Sequence, residues 1–388
     1  MPFSSVLSTA ETTKAAVADC LERSQWQGPV DLAMVFFAPA HRESALEIAQ
    51  SVSAAVKPRC LLGCQGETVV GNDREVEEGP ALCVWLGRWA EEVELTAFHL
   101  TMEETSDGLA LLGWPDDLAL ATPLDSLIIT LADPFTFPVD DFLHQLNDEQ
   151  PGVRVVGGMA SGGSQPEENP LLIGEDLRRE GAVGVLLRGP VKARSVVSQG
   201  CRPIGRPMVV TKAKDNIILE LGGKKALEQL QQIWQALEPR DQQLVQRGLH
   251  VGRVISEYQD SFRRGDFLVR NVMGMDKASG ALAITERVRV GQTVQFHVRD
   301  AATADEDLHT LLQLDKRIHE PKAAAALLFS CNGRGTRLFG QPDHDARAIQ
   351  AEAGAIPLAG FFAQGELGPV GGLNFIHGFT ASVLLFEG

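Results

Sequence analysis

Apolar positions gather along the chain in three long blocks, and within each block their period changes in the same order. The first opens on the continuous run VDLAMVFFAP (30–39), the pattern of a strand buried on both faces. Ala45, Ile48, Ala49, Val52, Ala55 and Val56 then form the stripe of an amphipathic helix. A short run into glycines, CLLGCQGETVVG, and a last apolar run, PALCVWLG, complete the block. The second block uses SLIITLADPF (126–135), a helix opened near Pro138 with Val139, Phe142, Leu143 and Leu146 inside, VRVVGGMASGG and GAVGVLLRG. The third uses AAAALLFSCNGRG (323–335), a helix capped by Asp343 and stopped by Gly354, IPLAGFFAQGELGPVGG and TASVLLFEG. One supersecondary unit is therefore used three times.

The glycines sit at matched places, since LLGCQGE, VVGGMASGG and LAGFFAQGE each leave a strand through one Gly and return through another. Glycine there lets main-chain N–H groups approach a ligand, so the three turns are expected to share a rim around a pocket. Gln65 and Glu67 in CQGET read as the counterparts of Gln364 and Glu366 in AQGELG. A block of different pattern, 201–320, separates the second and third repeats. In it, KKALEQLQQIWQALEP predicts a helix with Leu227, Leu230, Trp234 and Leu237 on one face and Pro239 at its end. ERVRVGQTVQFHVRD alternates as a strand, with Val288, Val290, Val294, Phe296 and Val298 on one face. Arg287, Arg289, Gln295, His297 and Arg299 share the other. Thr303 with Glu306, and Ser8 with Glu11, have the spacing of a capping box.

Composition narrows the function classes. The net charge of −16 over 388 residues argues against nucleic acid or anionic lipid as the main partner, because phosphate binding needs clustered Lys and Arg. With 44 % hydrophobic and 22 % charged residues the chain has the balance of a folded protein rather than a disordered one. No apolar run approaches the roughly 20 residues that span a bilayer. The start MPFSSVLSTAETTKAA lacks the basic and apolar regions of a secretory signal. Cys20, Cys60, Cys64, Cys83, Cys201 and Cys331 are too scattered for a disulfide framework and read as reduced thiols. The expectation is a soluble, cytoplasmic protein.

Motifs of known chemistry are scarce. GGKKAL lacks the spacing and the terminal Ser or Thr of a phosphate loop. Ser161 in GMASGG departs from the nucleophile elbow. Cys60 and Cys64 are two thiols, short of a zinc set, and Asp343, His344 and Asp345 in PDHDAR read as a charged helix start. Neither a metal nor a cofactor is expected. Cys331 ends a strand with Arg334 and Arg337 nearby in sequence, arginines that would favour its thiolate if close, so it stays open as a nucleophile. Arg270 and Asn271 in GDFLVRNVMG, with Arg299 and Asp300 in HVRDA, place charge among apolar neighbours, where a partner is required. His377 in NFIHGFT adds a hydrogen-bonding ring.

Four stretches together, GCRPIGRPMVVTKAKDNIILELGGKKAL, GDFLVRNVMGMDKASGALAITERVRVGQTVQFHVRDA, LLFSCNGRGTRLFG and PLAGFFAQGELGPVGGLNFIHGFTASVLLF, resemble the FIST domain with its N-terminal and C-terminal parts. The resemblance implies a stand-alone sensory or signal-transduction protein that takes a small polar metabolite such as an amino acid and acts on a signalling partner. The fold class expected is α/β: repeated β-α-β-β units, helix-covered mixed sheets and two intimately packed halves. The domains expected are an N-terminal helical segment 1–29, a FIST N-terminal part 30–200 and a FIST C-terminal part 201–388. The candidate ligand site is Arg270, Asn271, Arg299, Asp300, Cys331, Asn332, Arg334, Gln364, Glu366 and His377. Arginine can clamp a carboxylate, and glutamate can hold an ammonium. The alternatives are a hydrolase or transferase using Cys331 or Ser161, and an interaction scaffold without a small ligand.

Overall fold

The computed structural model describes residues 2–89, 92–105, 108–259, 261–320 and 322–387. It contains two compact units, residues 1–197 with 308–388, and residues 198–307. The block of different pattern between the second and third repeats thus folds as a body of its own.

The larger unit is built from the three repeats. Each has a leading strand, a helix, a middle strand, a short hairpin and a return strand. The leading strands are Leu32–Phe37, Ser126–Ala132 and Ala323–Cys331, and the middle strands are Cys60–Gln65, Arg154–Met159 and Leu358–Ala363. Leading and middle strands pair in parallel, as the intervening helix requires. The return strands Leu82–Gly87, Ala182–Arg188 and Thr380–Glu387 pair antiparallel on the other side of the leading strand.

The hairpins are exchanged between repeats. The first, Val69–Gly71 with Arg74–Val76, pairs with the middle strand of the third repeat. The second, Leu171–Ile173 with Asp176–Arg178, pairs with that of the first repeat. The third, Glu366–Val370 with Leu373–His377, pairs with that of the second. The exchange closes on itself, so no middle strand is left as an open edge. The N-terminal segment, read as helical, also contributes the strand Phe3–Ser8, which flanks the first return strand, ahead of helix Thr13–Ser24.

All three sheets turn one face to a single core, where Phe36, Ile129 and Phe329 from the three leading strands meet. Phe361 stacks into it at 5.3 Å from Phe36 and 5.8 Å from Phe329. Burying each such ring contributes roughly 2–3 kcal/mol. The outer faces are covered by the helices. Ile48 and Val52 cover the first sheet, Phe142 and Leu146 the second, and Ala346 and Ile349 the third.

One glycine per repeat serves this packing. Gly63, Gly157 and Gly360 lie opposite Val35, Thr130 and Leu328 in the parallel ladders. A Cβ there would stand 2.4, 1.8 and 1.8 Å from the carbonyl oxygens of those residues. These glycines let two backbones close together. The same registers correct the sequence alignment: Glu67, Ser161 and Gln364 each lie four residues past the matched glycine, so Glu67 corresponds to Gln364 and not to Glu366.

Residues 198–307 form an antiparallel ring. Cys201–Lys214, Thr293–Arg299, Leu249–Val254, Phe267–Asp276, Ala281–Ile284 and Ile217–Leu221 are neighbours in that order, and Ile217–Leu221 pairs back to Cys201–Lys214. Ile204, Val251, Leu282 and Phe296 fill it. Helix Ala226–Ala236 packs there through Leu230, and Pro239 opens the next helix, Pro239–Arg247. The expected strand over 286–300 is confined to Thr293–Arg299: Gly291, at φ +95°, turns the chain, and Val290 is 63 % exposed. Neither expected capping box forms. Asp300, not Thr303, precedes helix Ala301–Ile318, and the Thr303 hydroxyl donates to its carboxylate at 3.0 Å. Ser8 ends a strand, and Thr12 caps the following helix by accepting from Ala15 N–H. No helix among the described residues is long and apolar enough to cross a membrane.

Candidate functional site

The carboxyl ends of the three middle strands converge, the region where open parallel strand pairs commonly receive ligands. Ser161 N–H donates to Gln65 O (3.2 Å), Gln364 N–H to Met159 O (3.0 Å) and Phe362 N–H to Thr68 O (3.0 Å), so each repeat is tied to the next around a ring. Ser161 sits at the junction. Its hydroxyl donates to Phe362 O and accepts from Glu67 N–H at 2.8 Å, while Gln65 Nε2 donates to its carbonyl at 2.9 Å. That hydroxyl is fully buried and committed to main-chain partners.

Charged and polar side chains gather on the outer side of this junction. Arg42 donates through Nε to Gln65 Oε1 and through Nη2 to Gly162 O, both at 2.8 Å. Arg337 pairs with Glu67 and donates to Asn332 O at 2.9 Å. The pair is accessible, with Arg337 60 % and Glu67 31 % exposed. Glu77 accepts from Thr336 N–H (2.9 Å) and from its hydroxyl (2.6 Å). Glu67 and Glu77 belong to the first repeat and Arg337 and Thr336 to the third, so the loop 332–337 is held across a repeat boundary.

Beneath that loop lies an enclosed ionic cluster. Arg334 donates to both oxygens of Asp345 (2.7 and 2.8 Å), Ser330 donates to Asp345 Oδ2 (2.6 Å), and His344 Nδ1 lies 2.9 Å from Oδ1. Burial would raise the Asp345 carboxyl, but Arg334 outweighs it and holds it well below the usual carboxylate range. Glu75, from the exchanged first hairpin, accepts from Ala346 N–H at 2.9 Å at the start of helix His344–Ala353. Asp343 bonds Glu75 N–H instead of capping its own helix. Burial pushes Glu75 up to about 8, with the Asp345 charge acting in the same direction.

The ten candidate residues divide between the two units. Cys331, Asn332 and Gln364 stand at the converging strand ends, with Cys331 buried and Gln364 exposed. Arg334 lies below them, fully enclosed. Glu366 and His377 oppose each other in the third hairpin. Glu366 accepts from Thr380 N–H and hydroxyl (3.1 and 2.7 Å), and His377 Nε2 lies 2.9 Å from Gly368 O. The other four belong to residues 198–307. Arg270 donates to Glu286 at 2.9 Å, a carboxylate that Arg253 also holds. Asp300 takes Arg202 (2.9 Å) and Arg240 (3.2 Å). Asn271 and Arg299 come together around His250, whose ring burial first, then the Arg299 charge, lower to about 4 against the opposing Asn271 hydrogen bond.

Sequence reasoning missed Arg42, Glu75, Glu77 and His250. Only the tertiary exchange of hairpins brings Glu75 and Glu77 to the third repeat. Of the thiols, burial pushes Cys60 up to about 12 and Cys64 well up. Among the described residues, no group of three His, Cys, Asp or Glu is placed to hold a metal ion.

Comparison with known proteins gives two family matches, the FIST N domain over residues 31–224 and the FIST C domain over residues 226–369. Similar curated proteins include uncharacterized protein Rv0628c of Mycobacterium tuberculosis, 41 % identical over 383 residues that cover 98 % of each chain. Uncharacterized protein Mb0898c of Mycobacterium bovis is likewise 41 % identical over 383 residues, covering 98 % of this chain and 97 % of its own.

Proposed function

The chain belongs to the FIST family, with both N and C domains, and from that premise we propose that its ligand is a zwitterionic metabolite of amino-acid type held at the converging strand ends. FIST domains are generally signal-transduction sensor domains. The exposed Glu67–Arg337 pair carries the more specific reading. An exposed ion pair is worth about 0–1 kcal/mol, so it opens at little cost. Arg337 then offers two parallel donors to a carboxylate, and Glu67 accepts from an ammonium. Asn332 and Gln364 supply neutral hydrogen bonds beside them, and Cys331 a small apolar wall. Opening the pair also removes one of the two ties that hold the loop 332–337 to the first repeat, which gives the ligand a way to change the surface that a signalling partner meets. Ser161 favours no hydrolytic reading, since its hydroxyl already bridges Glu67 N–H and Phe362 O.

A thermal-shift screen of amino acids, with the matching deaminated carboxylic acids as controls, tests this. Amino acids should raise the melting temperature, the acids should do so less, and both Arg337→Gln and Glu67→Gln should abolish the response. No shift with any amino acid, or a shift that survives both substitutions, would refute the site.

A further inference from the structure

We propose that Glu75 is a proton-operated latch, closed when its carboxyl is neutral, that fixes the loop 332–337 and the start of helix His344–Ala353. The inference is independent of the ligand reading. It rests on one hairpin gripping the third repeat at two points, Glu75 at Ala346 N–H and Glu77 at Thr336 N–H and hydroxyl.

The surroundings make the grip sensitive to charge. The helix start brings Asp343, His344 and Asp345, and Arg347 donates to Asp343. The strand end and loop bring Ser330, Cys331 and Arg334, and the hairpin itself carries Arg74 and Glu77. Only Arg334 among these is a fully buried cation, and it is already paired to Asp345 through two nitrogens. Glu75 Oε2 and Arg334 Nη1 are enclosed without a hydrogen-bond partner among the described residues. With Glu75 neutral, Asp345 and Arg334 balance. On ionisation a second carboxylate enters the enclosure, and the enclosed charge becomes negative. Moving the hairpin strand Arg74–Val76 outward hydrates that charge and releases Ala346 and Thr336 together. Burial of Glu75 sets the upper end of the transition near pH 8, because the closed-state carboxyl is pushed up to about that value from 4.5.

The test is amide hydrogen exchange of the full chain between about pH 6.5 and about pH 9.5, expressed as protection factors so that base catalysis is removed. Protection at Thr336 and Ala346 should fall together, at least about tenfold, as pH rises to about 8, and level off above it. In Glu75→Gln it should stay level. Constant protection in the wild type, or an equal fall in Glu75→Gln, would overturn the proposal. Carbon-13 titration of the Glu75 carboxyl gives a second reading: a midpoint near 8 supports the latch, and one near the ordinary glutamate value overturns it.

Discussion

Gly360 runs so close beside Leu328 that a Cβ on residue 360 would stand 1.8 Å from the Leu328 carbonyl oxygen. The obstacle is backbone in a parallel ladder at the centre of the third sheet, so a rotamer change cannot relieve it. Gly360→Ala should therefore cost at least about 3 kcal/mol, the upper range of overpacking. Gly274→Ala is the control, because no atom lies within 4 Å of its Cβ position. Urea unfolding of both variants decides, and a loss below about 1 kcal/mol at Gly360 would show that the strands separate easily.

Ser161→Ala should destabilise the larger unit by about 1–3 kcal/mol, because it leaves the Glu67 N–H without its acceptor and Phe362 O without a donor at the junction of the repeats. A nucleophilic serine would behave differently, with unchanged stability. Equal melting temperatures for wild type and variant would contradict the structural role.

The repeat order was legible because the leading, middle and return strands are mostly apolar along their length, and each helix shows its stripe within a dozen residues. The hairpin exchange was not, since Val69–Gly71 carries no mark of pairing with a strand some 290 residues away, and the short local pattern fits its own repeat equally well. The QGE likeness misled for a related reason. Residue type matched Glu67 to Glu366, whereas ladder register matches it to Gln364, and only register places a side chain. The charges of Arg270 and Asp300 announced partners in the sequence, and the structure supplies Glu286 to the first and Arg202 with Arg240 to the second.

Two histidines make the 198–307 unit acid-sensitive. His250 and His297 are both lowered to about 4, chiefly by burial, from an ordinary value of 6.5. A depressed base binds fewer protons folded than unfolded. Their contribution is therefore complete above about pH 6.5 and is lost as pH falls toward about 4, at up to about 1.4 kcal/mol per pH unit for each ring. His41, lowered by burial in the other unit, adds in the same direction there. Imidazole carbon shifts followed by NMR should show His250 and His297 neutral at about pH 5.5, and ordinary midpoints near 6.5 would defeat the argument.

The ionic cluster makes the last prediction, and it separates the two roles open to Arg334. As a structural ion, Arg334 holds the Asp345 charge inside the fold, so Arg334→Met should cost about 3–5 kcal/mol by stranding a carboxylate. Adding Asp345→Leu removes that charge and should restore most of the loss, because two apolar side chains can fill the space an ion pair occupied. As a ligand group, Arg334 would instead tolerate the single change in stability, and only the response to an added ligand would suffer. Denaturation midpoints of the single and double variants distinguish these outcomes. A stable Arg334→Met protein, or a double variant no better than the single one, would mean that the Asp345 charge is not what Arg334 is there to balance.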